Sequence, residues 1–175
     1  PDATALKQAI AKQQNVDVEN VFVGNGSDEV LAHIFKAFFV QEKPILYPDI
    51  TYSFYPVYSQ FFGIAEKTKI LPLNDDFEIE VNDYKQPNGG IIITNPNAPT
   101  SIALGLSAIE EVLQANPDSV VLIDEAYVDF GAESAVSLVE KYDNLVVCQT
   151  MSKSRSLAGL RVGFAIAQPH LIAAL

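Results

Sequence analysis

Two runs of the sequence are almost entirely apolar, and they constrain the fold more than any other feature. They are residues 90–94, with three consecutive isoleucines, and residues 120–123. A strand without a polar face is buried on both sides, which is typical of a parallel sheet covered by helices. Other apolar runs alternate with helical patterns and lie at residues 21–23, 44–47, 66–71, 145–148 and 162–167. The sequence therefore predicts an α/β fold with three layers, α/β/α, around a mostly parallel sheet of about seven strands.

Helical patterns fill the segments between these strands. Ser27 and Asp28 are good helix-start residues, and apolar residues recur after them at helical spacing as far as Phe38. The other predicted helices cover residues 4–14, 51–62, 106–115 and 136–141, with a short one near Val81.

Length and chain ends indicate a piece of a longer protein. With 175 residues and 49% hydrophobic content, the chain is long enough for one domain with a sizeable core. It starts at Pro1 rather than at a methionine, and it stops at residues 173–175, within a pattern typical of a starting helix. We therefore expect a single-domain fragment.

Composition limits the classes of partner. The formal net charge of −11 disfavours both nucleic acid and anionic membrane surfaces as partners, because both attract cationic proteins. The single cysteine, Cys148, allows no internal disulfide and fits a reducing compartment, so we expect a cytoplasmic protein. His33 and His170 lack the spacing of paired metal ligands, and we expect no metal site.

Polar clusters follow four of the predicted strands. Their sequences are GNGS at residues 24–27, NPN at 95–97, DEAY at 124–127 and SK at 152–153. Because the carboxyl ends of parallel strands meet at one edge of a sheet, we expect these clusters to form one ligand site.

Lys153 is the residue of this set with the most distinctive chemistry. It lies between two serines after an apolar strand, and Arg161 follows in the same segment. The hydroxyl of Ser152 and the guanidinium of Arg161 are suited to hold a phosphate beside the amine. A Schiff-base lysine that binds pyridoxal phosphate needs this arrangement, although a solvated loop lysine is an equally good interpretation of the segment alone.

Residues 24–29 have two interpretations. Ser27 and Asp28 begin a predicted helix, whose exposed N–H groups can bind phosphate. Gly24 and Gly26 also match the first two glycines of a dinucleotide-binding motif, but Glu29 stands where the third is expected. A nicotinamide-binding module therefore stays open as an alternative.

Asp124 and two tyrosines are further candidates. Asp124 directly follows a buried strand and can hold a pyridine nitrogen protonated, or it can be a helix cap or loop acid. Tyr127 can reach a phenolic oxygen of the same ring, and Tyr52 can stack on the ring, but either can also be a packing residue. Three more tyrosines are nearby, and we expect most of them to be packing residues: Tyr47, Tyr55 and Tyr58.

Taken together, these segments resemble the fold type I pyridoxal-phosphate enzymes, and within them the histidinol-phosphate aminotransferase family. The resemblance covers nearly the whole chain, in order and spacing. The matching segments are GNGSDE at 24–29, YPDITYSFY at 47–55, NPNAPTS at 95–101, DEAYVDF at 124–130 and TMSKSRSLAGLRVGF at 150–164. The resemblance implies the large, cofactor-binding domain of a pyridoxal-phosphate-dependent aminotransferase of histidine biosynthesis, in which histidinol phosphate and 2-oxoglutarate give imidazole-acetol phosphate and glutamate.

The resemblance also implies a role for each candidate residue. Lys153 binds the cofactor covalently and moves the substrate proton, Asp124 pairs with the pyridinium nitrogen, and Tyr127 bonds the phenolic oxygen. Tyr52 stacks on the ring. The implied phosphate-binding residues are Ser27 and Asp28 through their backbone N–H groups, together with Ser152 and Arg161.

Two departures from the family pattern leave questions open. The family commonly has asparagine at the position of Ala98 and glycine at that of Ser101, and Asn97 is the nearest substitute for this cofactor-binding asparagine. The N-terminal arm and small C-terminal domain, which bind substrate in the family, are not part of residues 1–175. The family usually completes each site with a second subunit, so the resemblance implies a homodimer for the whole protein. Because substrate recognition needs the segments outside residues 1–175, we expect no transaminase activity for this fragment alone. Two alternatives remain to the histidinol-phosphate aminotransferase. One is another fold type I enzyme, such as a different aminotransferase or a threonine-phosphate decarboxylase. The other is a non-catalytic phosphate-binding domain.

Overall fold

A seven-stranded sheet runs through the centre of the computed structural model, which describes residues 2–175, so that Pro1 lies outside the described part. The strands are β1 (Val21–Asn25), β2 (Ile45–Pro48), β3 (Thr68–Leu71), β4 (Gly90–Thr94), β5 (Val121–Asp124), β6 (Leu145–Thr150) and β7 (Val162–Ala167). Their order across the sheet is β1-β7-β6-β5-β4-β2-β3. Each of the predicted strands is present, within a few residues of its predicted bounds.

Strand β7 runs opposite to its neighbours in the sheet. It pairs antiparallel with β1 and β6, whereas the other neighbouring strands pair in parallel. The connection from β6 to β7, residues 151–161, contains no α-helix to carry the chain back across the sheet. A parallel connection usually needs such a crossover, so the short return gives an antiparallel pair. The prediction of a mostly parallel sheet is confirmed.

Helices cover both faces of the sheet. They are α1 (Thr4–Gln14), α2 (Ser27–Ile34), α3 (Tyr55–Phe61), α4 (Leu106–Ala115) and α5 (Pro169–Ile172). Ile91 and Ile93 of β4 belong to the core on the side of α1 and α4, whereas Ile92 belongs to the core on the side of α2 and α3. Because successive residues of a strand point to opposite faces, these two cores confirm the predicted α/β/α layers.

Some predicted helix bounds are wrong. The helix predicted for residues 51–62 begins only at Tyr55, and a turn precedes it. Pro56 then lies in the first helical turn, where its missing N–H leaves no hydrogen bond unmade. Helix α2 ends at Ile34 and continues as a π-helix, Phe35–Phe39. The predicted helices near Val81 and at residues 136–141 are 3-10 turns, Val81–Tyr84 and Ala135–Leu138.

None of the helices within residues 2–175 combines the length and the apolar character that crossing a bilayer requires.

Candidate active site

A cavity lies at the carboxyl edge of the sheet, where β4, β5 and β6 end beside the start of α2. Its lining residues are Ser27, Asp28, Leu31, Tyr52, Thr94, Ala98, Asp124, Ala126, Tyr127, Ser152, Lys153 and Arg161. The structure therefore brings together all the candidate residues of the sequence except Asn97.

Lys153 reaches the cavity from the loop that follows β6. The backbone N–H of Ser152 donates to Thr150 Oγ1 at 3.2 Å, which holds the start of this loop against the end of the strand. Lys153 Nζ lies 5.3 Å from the centroid of the Tyr127 ring, within the range of a cation–π contact. A primary amine and a phenol therefore share one side of the cavity.

Asp124 ends β5 and presents a buried carboxyl group to the cavity. The residue is only 3% exposed. Its Oδ2 accepts a hydrogen bond from the Tyr55 hydroxyl at 2.7 Å, and its Oδ1 accepts one from the Ala126 N–H at 3.2 Å. Burial raises the pKa of Asp124 to about 6, against the opposing effect of these two hydrogen bonds. The group is therefore mainly ionised at neutral pH and retains lone pairs for a ligand.

Tyr55 is a site residue that the sequence did not reveal. Its hydroxyl lies 2.6 Å from Thr94 Oγ1 as well as beside Asp124. The available signal was its position three residues after Tyr52, but a contact with Asp124 across 69 residues of sequence depends on tertiary packing. Burial raises the pKa of Tyr55 well above its usual value, so the hydroxyl is a donor at any physiological pH.

The start of α2 is packed closely against β7 and Arg161, and glycines make this possible. Gly26 has a φ of +86°, and a Cβ added to it would lie 2.5 Å from Arg161 Nη2. A Cβ added to Gly163 would lie 2.2 Å from the backbone nitrogen of Ser27. Among residues 2–175, no side chain caps the first N–H groups of α2. Uncapped N–H groups at a helix start, next to a guanidinium, are suited to bind an anion.

Arg161 and Asp28 form a long, solvent-exposed ion pair beside this helix start. Arg161 Nη2 is 3.8 Å from Asp28 Oδ2, and the two side chains are 47% and 53% exposed. An ion pair with this exposure contributes little to stability, so the guanidinium stays available for a ligand.

Tyr52 forms the wall of the cavity next to Asp28. Its hydroxyl donates to Asp28 Oδ1 at 3.1 Å, and its ring packs edge-on against Tyr55 at 5.5 Å and 84°. Burial raises the pKa of Tyr52 to about 12, and the negative charge of Asp28 adds to this rise. The hydroxyl of Tyr52 is therefore not ionised at neutral pH, and its hydrogen bond to Asp28 orients the ring.

Asn97 is the candidate that the structure does not bring into this cavity. Its Nδ2 donates to Ile50 O at 2.8 Å and to Thr100 Oγ1 at 3.0 Å, and these bonds hold the side chain between its own loop and the segment that follows β2. Asn97 Oδ1 is buried and has no hydrogen-bond partner among residues 2–175. The neighbouring Ala98 lines the cavity instead. The geometry gives no support to a cofactor contact from Asn97.

A second buried acid, Glu125, lies next to Asp124 and was also missed by the sequence. It is 1% exposed. Its carboxylate accepts hydrogen bonds from Ser134 Oγ at 2.7 Å, Ala135 N at 2.6 Å and Gln149 Nε2 at 2.8 Å. Glu125 therefore ties the loop before the Ala135–Leu138 turn to strand β6.

Asp129 connects the two loops that carry Tyr127 and Lys153. Its carboxylate lies 3.2 Å from Arg155 Nε and also accepts a hydrogen bond from the hydroxyl of Ser154. Arg155 in turn donates to Gln149 Oε1 at 2.9 Å. These contacts give the lysine loop an anchor outside the cavity.

Comparisons with known proteins agree on one family. The sequence model described as "Aminotransferase class I and II" matches residues 1–175. The histidinol-phosphate aminotransferase of Acinetobacter baumannii (strain ATCC 17978) is 83% identical over 175 residues, which are 100% of this chain and 48% of that protein. The chain thus spans about half the length of the curated relatives it matches.

Solved structures show the same fold. The histidinol-phosphate aminotransferase of Clostridium acetobutylicum superimposes with a TM-score of 0.82 at 22% identity, over 96% of this chain and 51% of that one. The L-threonine-O-3-phosphate decarboxylase of Porphyromonas gingivalis gives a TM-score of 0.83 at 24% identity, over 99% of this chain and 52% of that one. At these identities the likeness concerns the fold alone.

Proposed function

The chain belongs to the aminotransferase class I and II family, and from that premise we propose that its full-length protein is the histidinol-phosphate aminotransferase of histidine biosynthesis. In the proposed reaction, histidinol phosphate and 2-oxoglutarate give imidazole-acetol phosphate and glutamate. The identity of 83% to a curated enzyme of that name supports this substrate.

One observation carries the proposal: an amine, a buried carboxylate and an uncapped helix start line the same cavity. Pyridoxal phosphate, the cofactor of this family, has an aldehyde, a pyridine nitrogen and a phosphate that need these three partners. The close approach at Gly26 and Gly163 leaves the backbone N–H groups of α2 beside Arg161, where a phosphate fits. The residues present therefore fit the cofactor.

Each residue of the cavity then has a defined task. The bound cofactor supplies an electron-withdrawing ring next to the reacting carbon of the substrate. Asp124 would hold a proton on the ring nitrogen, and Tyr127 would donate a hydrogen bond to the phenolic oxygen. Lys153 would hold the cofactor through Nζ, and its amine, once the substrate amine has taken its place, would move the proton at the substrate Cα.

The remaining residues bind and orient the cofactor. Its phosphate would be held by the backbone N–H groups of Ser27 and Asp28, the hydroxyl of Ser152 and the guanidinium of Arg161. The half-buried ring of Tyr52, fixed by its hydrogen bond to Asp28, would stack on the cofactor ring.

The proposal extends to the whole protein. Residues 1–175 form the cofactor-binding domain, and parts of the protein outside them bind the substrate. We place the protein in the cytoplasm as a homodimer. Residues 1–175 alone then lack transaminase activity, because the substrate-binding groups are missing.

An assay of the full-length protein tests the proposed reaction. With pyridoxal phosphate, histidinol phosphate and 2-oxoglutarate, we expect formation of glutamate, and we expect Lys153→Ala to abolish it. Asp118→Ala changes an exposed acid away from the cavity and serves as the matched control, with unchanged activity. Release of CO₂ from a phosphorylated amino acid, without glutamate formation, would instead identify a decarboxylase.

A further inference from the structure

Tyr55 touches an ionisable group of the cavity, although it is itself fully buried. Its exposed fraction is 0%. Tyr55 Oη lies 2.7 Å from Asp124 Oδ2 and 2.6 Å from Thr94 Oγ1. A buried tyrosine needs only one partner for its hydroxyl, and many find it in a backbone carbonyl. Here both partners are side chains that line the cavity, so the contact affects Asp124 as well as packing.

The hydrogen bonds around Tyr55 run in one direction. An ionised carboxylate can only accept, so the Tyr55 hydroxyl donates to Asp124 and its oxygen accepts from Thr94. Thr94 Oγ1 in turn lies 3.1 Å from Thr51 Oγ1, which supplies the next donor. Three hydroxyl groups thus form a chain of donors that ends at the carboxylate. Hydrogen bonds in such a chain polarise and strengthen one another.

We propose that Tyr55 is a positioning residue for Asp124: its donated hydrogen bond fixes the orientation of the carboxylate and keeps it ionised despite burial. The inference rests on the function proposed above, in which Asp124 pairs with a protonated ring nitrogen. A protonated Asp124 could not make that ion pair, and a rotated carboxylate would direct its lone pairs away from the ring.

The groups around Asp124 have opposing effects on its charge. Burial has the largest effect and raises the pKa of Asp124 to about 6, whereas the Tyr55 hydrogen bond is the largest of the effects that lower it. Asp28 on α2 raises this pKa, and Lys153 lowers it. Other titratable groups near it, from the packed strands and turns, are Glu125, Cys148, Tyr52 and Tyr127. Without the Tyr55 hydroxyl, the rise that burial causes in the pKa of Asp124 is opposed mainly by the Ala126 N–H and Lys153.

The first experiment measures the charge of Asp124 directly in the full-length, cofactor-free protein. Aspartate carboxyl carbons are labelled with ¹³C, Asp124 is assigned by comparison with Asp124→Asn, and its pKa is followed by NMR. Tyr55→Phe keeps the ring but removes the donor, and we expect the pKa of Asp124 to rise by about one unit or more. Tyr84→Phe is the matched control, because Tyr84 is also buried but belongs to the core on the other face of the sheet. We expect it to leave Asp124 unchanged.

The second experiment uses the holoenzyme. We expect Tyr55→Phe to shift the acid limb of the kcat profile to higher pH, in the same direction as the NMR titration. On the Asp124→Asn background the same substitution should produce no shift, because the group on which it acts is gone. If Tyr55 only packs, Tyr55→Phe would lower stability both in the wild type and in Asp124→Asn. It would then change neither the Asp124 pKa measured by NMR nor the acid limb of the kcat profile.

Thr94→Val provides a second variant, in case Tyr55→Phe fails to fold. It removes the donor behind Tyr55, so we expect a smaller rise of the Asp124 pKa in the same direction. An unchanged Asp124 pKa in the folded variants, or an equal rise in Tyr84→Phe, overturns the proposal. A wild-type protein that binds no pyridoxal phosphate would contradict the proposed function, and the NMR result on the cofactor-free protein would still decide the role of Tyr55.

Discussion

Asp124 and Glu125 are neighbouring buried acids at the end of β5, but their surroundings differ. Glu125 is 1% exposed and accepts hydrogen bonds from three protein donors, Ser134, Ala135 and Gln149. Asp124 is 3% exposed and accepts two hydrogen bonds from the part of the chain that the structure describes, and it lines the cavity that contains Lys153. Burial raises the pKa of both groups. A buried carboxylate that is bonded to three protein donors therefore serves the fold, whereas one that keeps free lone pairs at a cavity is available for chemistry.

Glu125→Ala should produce the largest effect, and it should be an effect on stability. The substitution leaves three buried donors without an acceptor and also removes packed atoms. We expect the free energy of unfolding of the full-length protein to fall by about 4 kcal/mol. Denaturant unfolding measures this loss, and the turnover of the folded fraction should stay within a few-fold of the wild type. Loss of turnover without loss of stability would show that Glu125 has a chemical role.

Asp124→Asn should mainly affect turnover, in contrast to Glu125→Ala, which should mainly affect stability. We expect kcat to fall by about 10²-fold, or about 2.7 kcal/mol in activation free energy, because a preorganised charge next to the ring nitrogen is lost. Covalent attachment of the cofactor to Lys153 should persist, and its absorbance checks this. Near-normal turnover of this variant would refute the role given to Asp124.

The stability of the cofactor-free protein should depend on the protonation of Asp124. Its pKa is about 6 in the folded state and 3.8 as the ordinary value, so the folded state binds the proton more tightly and loses stability as pH rises through this range. Between pH 5 and pH 8 we expect Asp124→Asn to gain about 1.4 kcal/mol relative to the wild type. Denaturant unfolding of both proteins at the two pH values measures this gain. If the free energy of unfolding of Asp124→Asn instead falls relative to that of the wild type as pH rises, the folded protein favours the ionised form of Asp124.

Asp129→Ala should have the smallest effect, because the ion pair of Asp129 with Arg155 is partly exposed. We expect a loss of about 1 kcal/mol or less in stability, and a fall of less than about tenfold in kcat from a looser lysine loop. Exposed Asp118→Ala is again the control. An effect of Asp129→Ala as large as that of Asp124→Asn would place Asp129 in the chemistry itself.

The sequence predicted those parts of the molecule that depend on local pattern. Apolar runs predicted the strands, and polar residues directly after them predicted the cavity that contains Asp124 and Lys153. The predicted start of α3 was wrong, because apolar spacing does not distinguish a non-helical turn from the first turn of a helix. The antiparallel direction of β7 depends on the path of a connection without an α-helix, which the apolar pattern of the strand does not contain.

Contacts between distant segments could not be predicted from the sequence. Thr94 and Asp124 are paired at the ends of β4 and β5, and the Tyr55 hydroxyl reaches both of them only through the tertiary packing of α3. Asn97 is adjacent to Ala98, yet the hydrogen bonds that its amide donates to Ile50 and Thr100 keep its side chain out of the cavity. Each of these arrangements is decided by hydrogen-bond partners that lie many residues away in the sequence or by side-chain direction within a turn.

The proposed function requires that Lys153 binds pyridoxal phosphate in the cavity that Asp124 lines. Reduction of the full-length holoenzyme with borohydride, followed by proteolysis and mass spectrometry of the peptides, identifies the lysine that carries the cofactor. We expect the reduced cofactor to be attached to Lys153, and we expect Lys153→Ala to yield no labelled peptide. Attachment to any other lysine in the wild-type protein would contradict it.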